Sequence, residues 1–71
     1  MNITETYAPP RRVEAYIYGK KRIDGEWITG CMLDFKAGFH SRREAEDWVE
    51  KRFINMDKDF AVPERFEVAM I

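Results

Sequence analysis

His40, Ser41 and Cys31 are the residues that nucleophilic chemistry would call on first. His40 is the only histidine, so any Ser-His or Cys-His mechanism must pass through it. Ser41 stands next to it, three residues before Glu44, which is the spacing of a helix capping box rather than of a nucleophile and its base. Cys31 is the only cysteine; it can form no internal disulfide or cysteine knuckle, and it sits where a small core residue is needed. Asp57-Lys58-Asp59 opens like a calcium loop, but the sixth position falls on Val62, where glycine is required, and the twelfth on Val68, where glutamate is required. Glu44, Asp47, Glu64 and Glu67 form no distinguished acid–base pair, and the glycines make no phosphate loop. The pattern therefore predicts a protein that is not an enzyme and takes no cofactor or metal.

The elements that must position any binding residues are easier to read. Ser41 and Glu44 start a helix on which Ala45, Trp48, Val49, Phe53 and Met56 recur at helical spacing, from about Ser41 to Asn55 or Met56. Before it, Val13, Ala15 and Ile17 alternate with Glu14, Tyr16 and Tyr18 as in a strand. Asp24-Gly25 marks a hairpin, and Trp27, Thr29, Cys31, Leu33 and Phe35 continue the alternation as the inward set. After the helix, Arg65–Ile71 alternates again, with Phe66, Val68 and Met70 inward. The fold class is α+β, in the order β-β-α-β: a small three-stranded, mainly antiparallel sheet with one helix packed on one face.

The hairpin register has two candidates. A two-residue Asp24-Gly25 turn pairs Ile23 with Glu26 and sets Ala15 beside Asp34 and Val13 beside Lys36, mixing apolar and charged residues on one face. A three-residue loop, Ile23-Asp24-Gly25, pairs Arg22 with Glu26 and sets Val13, Ala15 and Ile17 against Phe35, Leu33 and Cys31. Register is set by the buried pattern, so the second is the expectation.

Residues 1–10, with Pro9-Pro10, read as an N-terminal arm and 11–71 as a single domain. A chain of 71 residues has a small core, worth about 3–5 kcal/mol without a staple. An apolar content of 45% and a net charge of −1 fit a globular protein and lack the charge signature of a nucleic-acid binder. No basic-apolar leader opens the sequence and no apolar run approaches the ~20 residues of a membrane span. The expected setting is soluble and cytoplasmic, with no membrane partner.

One helix covers one sheet face. In the expected register the other face carries Tyr16, Tyr18, Ile28 and Met32, flanked by Arg12, Lys20 and Arg22, a composition typical of protein interfaces. A protein partner, or a second copy in a homodimer, is the expected occupant; nucleic acid, stacked on the aromatics, ranks behind because Glu14, Glu26 and Asp34 offset the basic residues. Arg42 and Arg43, in the first helical turn, add positive field to the helix N-terminus and complete the candidate partner-binding set, although Glu46 and Asp47 lie at i+4 to pair with them.

Two resemblances accompany this reading. The run Gly38-Phe39-His40-Ser41-Arg42-Arg43-Glu44-Ala45-Glu46-Asp47-Trp48 resembles the strand–turn–helix corner of the arm-type DNA-binding domains of phage integrases, which implies a sheet that reads DNA. In size and style the whole chain resembles small phage-encoded host-takeover proteins, including anti-CRISPR inhibitors. That resemblance implies a non-catalytic protein that occupies a surface of a host protein in the host cytoplasm.

Overall fold

The computed structural model describes residues 12–71; the expected arm, residues 1–10, lies outside them. Four elements occur in the predicted order: β1 (Val13–Ile23), β2 (Glu26–Phe39), α1 (Arg42–Asn55) and β3 (Ala61–Met70). The sheet order is β2-β1-β3 and both pairings are antiparallel, so β1 is the central strand. The fold is α+β, with the helix on one face.

The core is built on one side of β1. Val13, Ala15 and Ile17 are buried together with Phe39 of β2 and Ala45 and Val49 of α1, and Leu33, Trp48, Phe53, Met56 and Val68 pack around them. Fully burying side chains such as Val13 and Ile17 contributes about 1.5–3 kcal/mol each. The helix begins where its cap chemistry dictates. Ser41 Oγ accepts from the Glu44 amide at 3.1 Å, while the Glu44 carboxylate accepts from the His40 amide at 2.6 Å, closing the box one residue before the cap. At the other end the Lys58 ammonium donates to the carbonyls of Phe53, Ile54 and Met56, which would otherwise lack partners.

The hairpin departs from the expected register. Asp24 (φ 53) and Gly25 (φ 82) form a two-residue turn of the primed type, and Ile23 pairs with Glu26. β2 has 14 residues against 11 in β1, and the difference is absorbed by shifts in register between Val13 and Glu14, between Ile17 and Tyr18, and between Gly19 and Lys21. Each adds a residue on β2. Gly38 (φ 91) and Gly30 (φ 71) supply the left-handed backbone at two of these bulges. The third bulge falls at Leu33, a side chain that packs against the core.

The outcome mixes charged and apolar residues on the helix face, the pattern that the expected register avoids. Ile17 pairs with Asp34 and Ala15 with Lys36. Both charges are accommodated. Asp34 forms an ion pair with Arg52 of α1 at 2.6 Å, tying β2 to the helix, and the Lys36 ammonium reaches over the Phe39 ring, 5.5 Å from its centroid.

Gly19 shows how closely β3 approaches β1. It is buried, and a Cβ there would overlap the Val62 carbonyl oxygen and lie 2.9 Å from Pro63 Cα. Gly19→Ala is therefore expected to lower the unfolding free energy by about 1–3 kcal/mol, the range for overpacking against backbone. A shift in the midpoint of urea unfolding, at constant slope, is the measurement that checks it.

Candidate functional site

Along β1, residues of opposite parity stand on opposite faces. Val13, Ala15 and Ile17 meet the helix, so Glu14, Tyr16, Tyr18, Lys20 and Arg22 share the opposite face, which no element among the described residues covers. Tyr16 pairs with Phe35 and Glu67, Tyr18 with Met32 and Arg65, and Arg22 with Trp27, which brings those partners to the same face.

The aromatic rings form a ladder. Tyr16 lies 5.0 Å from Phe35, centroid to centroid, and 6.4 Å from Tyr18, with the two tyrosine rings 15° from parallel. The Arg65 guanidinium sits over Tyr18 at 4.2 Å, and the Lys20 ammonium lies 5.2 Å from the Trp27 ring. These are cation–π distances. Met32, Phe35 and Trp27 remain 55%, 44% and 40% exposed. At one end Glu14 is buried, an unusual place for a carboxylate, and it is satisfied by the Tyr16 hydroxyl at 2.6 Å and by Arg12 Nε at 3.2 Å.

Of the expected binding residues, Tyr16, Tyr18, Lys20, Arg22 and Met32 do come together here. Ile28 does not: it pairs with Lys21, so it shares the helix-side face beyond the helix, because the two-residue turn shifts the parity of the β2 tip. Arg42 and Arg43 also stand apart, on the helix that packs against the opposite face. Arg42 forms the anticipated i+4 pair with Glu46 at 2.8 Å; the matching pair of Arg43 with Asp47 is not among the ion pairs of the described residues.

Trp27, Phe35, Arg65 and Glu67 are members of the face that fall outside the expected set. Trp27 and Phe35 belong to the set expected to point inward, and their true face follows from the two-residue Asp24-Gly25 turn, the two bulges before Phe35 cancelling in parity. Arg65 is legible, since it alternates with the inward residues Phe66 and Val68. The charge balance of the face also differs. Asp34 turns to Arg52, and Glu26 pairs with Ile23 on the other face, so of the acids expected to offset the basic residues only Glu14 stays, joined by Glu67.

The candidate chemical groups are engaged locally. The Ser41 hydroxyl serves as the cap, Cys31 Sγ faces the Ile28 carbonyl at 3.4 Å, and Asp57 Oδ1 accepts from the Asp59 amide at 3.0 Å. Cys31 lies near the middle of β2 and His40 just past its end, roughly 25 Å apart along the strand. Among the described residues no group of three or more His, Cys, Asp and Glu side chains is arranged to hold a metal ion, and no helix is long and apolar enough to cross a membrane.

Comparison with known proteins finds no matching family model, no matching curated protein and no matching solved structure.

The Tyr16–Glu14 contact has a measurable consequence. Donating to a carboxylate favours the neutral phenol, so the Tyr16 pKa is raised above its ordinary value, with burial and the Glu14 charge acting in the same direction. A raised folded-state pKa means that the contact's stabilisation is complete below the unfolded tyrosine pKa of about 10 and is lost as pH climbs through the folded value. Tyrosinate absorbance in an alkaline titration is expected to show one late-ionising phenol that disappears in Tyr16→Phe.

Proposed function

We propose that this protein is a non-catalytic binding protein that occupies a surface of a protein partner through the uncovered sheet face. The observation that carries the reading is the ladder Phe35–Tyr16–Tyr18, exposed at Phe35 and half-buried at the two tyrosines, with Arg65 laid over its last ring. Stacked aromatics next to cations offer a partner large apolar area at low entropy cost, and arginine and aromatic side chains are the usual interface anchors. Lys20, Arg22 and Arg65 make the surroundings of the ladder basic. The complementary occupant is an acidic protein segment bearing apolar or aromatic side chains.

Nucleic acid fits this face less well. Glu14 and Glu67 flank Tyr16 directly, where a stacked nucleotide would bring its phosphates, and the Arg65 guanidinium is shared between Tyr18 and the Glu67 carboxylate at 2.9 Å. Occlusion of a partner's own working surface, the mode of the phage-encoded inhibitors that the chain resembles in size and style, needs no more than such a face. A cytoplasmic setting belongs to the same proposal, and the unpaired thiol of Cys31 suits a reducing compartment.

The test uses two probes on the folded protein: a displayed library of random peptides and a single-stranded oligonucleotide. The expected result is selection of peptides rich in Asp or Glu and aromatic residues. Tyr18→Ala combined with Phe35→Ala should weaken them about tenfold or more, as loss of central anchors does. Circular dichroism verifies that the variant remains folded. Peptide binding indifferent to the variant overturns the reading, as does tight oligonucleotide binding that falls steeply with salt.

A further inference from the structure

The sheet has two outer edges, and they differ. The β2 edge is interrupted by three bulges, a device that blunts an edge against further pairing. The β3 edge is regular from Arg65 to Met70, its one shift in register lying beyond Arg65 toward Pro63. Among the described residues no strand pairs with that outer edge.

The phase of the free edge is set by the hydrogen bonds at its end. Arg12 and Ile71 exchange both backbone bonds, at 3.1 and 2.8 Å, so they form a hydrogen-bonded pair. Pairs of this kind alternate along an antiparallel ladder. Ala69, Glu67 and Arg65 therefore direct their backbone groups at β1, while Phe66, Val68 and Met70 present theirs outward.

The geometry points to a two-fold homodimer in which β3 pairs antiparallel with β3 of a second copy, centred on Phe66, giving a continuous six-stranded sheet. Four features agree on this occupant and this register. Phe66 against Phe66 is an outward-facing hydrogen-bonded pair, so the backbone groups match at the centre of the regular segment. The same register places Arg65 opposite Glu67 twice, on the uncovered face, at positions where antiparallel side chains approach most closely. Centring on Arg65 or on Glu67 would instead oppose like charges.

The third feature is Pro63. Beyond the regular segment it lacks a donor, which limits the pairing to the short stretch that the charges specify. Finally, an apolar groove of about 540 Å³ runs between α1 and β3, lined by Val49, Phe53, Ile54 and Phe66 with Glu46 and Glu50. Phe66 and Ile54 are 42% and 70% exposed. Pairing at β3 brings the grooves of the two copies together beside the Phe66 pair, removing this surface from water. It also joins the two Tyr16–Tyr18 faces into one surface without covering either.

The inference is independent of what the uncovered face binds. Its test is sedimentation equilibrium from micromolar to millimolar concentration on the wild type, Arg65→Glu, Glu67→Arg and the double swap. The wild type is expected to show a reversible monomer–dimer equilibrium. Each single swap should weaken association by about tenfold, because two attractive cross-strand pairs become repulsive, and the double swap should restore it. Circular dichroism reads folding separately. A wild type that stays monomeric throughout overturns the proposal. So does a dimer that both single swaps leave intact, which would place the contact elsewhere.

Discussion

Val13, Ala15 and Ile17 pack beneath Ala45 and Val49, and the rest of the molecule is arranged around that contact. The three residues come from the central strand, flanked on both sides, so their burial requires β2 and β3 to be in place as well as the helix. In a domain this small there is no second core to fall back on. The strand–helix contact sets which parity of β1 faces inward. By the alternation of strands it also sets which residues are left in the open: Tyr16, Tyr18, Lys20 and Arg22.

A second constraint is geometric. The Asp24-Gly25 turn fixes the start of the hairpin with no freedom in length, since a primed two-residue turn admits a single pairing at its base. Carried on without interruption, that register would leave β2 misaligned with the core. The bulges at Gly30, Leu33 and Gly38 advance it by one residue each, delivering Leu33 and Phe39 to the core and moving the outward-facing Phe35 into line with Tyr16. They bend and twist the strand locally and break up its outer edge, so the device that completes the core also leaves β3 as the regular edge.

Charge placement obeys the same logic of local satisfaction. Asp34 and Lys36 lie on the helix face because the two-residue turn sets their parity and the bulges at Gly30 and Leu33 together leave it unchanged, and each is tolerated only because a partner reaches it, Arg52 for the one and the Phe39 ring for the other. Glu14 is buried on the uncovered face on the same terms, held by Tyr16 and Arg12. With Asp34 and Glu26 drawn to the other side, the uncovered face is more basic than residue counts along the strands suggest. An overall charge near zero thus conceals two faces of different character.

Element order, the helix and its cap, and the inward set on β1 and β3 were determined by the sequence itself, because capping chemistry and hydrophobic period act between residues a few positions apart. The composition of the uncovered face was only half legible. Tyr16, Tyr18, Lys20, Arg22 and Met32 come from simple alternation. Phe35, Trp27 and the departure of Ile28 do not, because the two-residue turn sets their parity where the buried pattern favours a three-residue loop, and nothing local announces the bulges that let the shorter turn reach the core. The choice of β1 as the central strand was likewise left to tertiary structure. Antiparallel pairing of β3 is open to either edge of the hairpin until the helix, crossing one face, limits where the chain can return. Long-range packing therefore decided which aromatic and basic residues meet, and with them the surface that this protein presents to a partner.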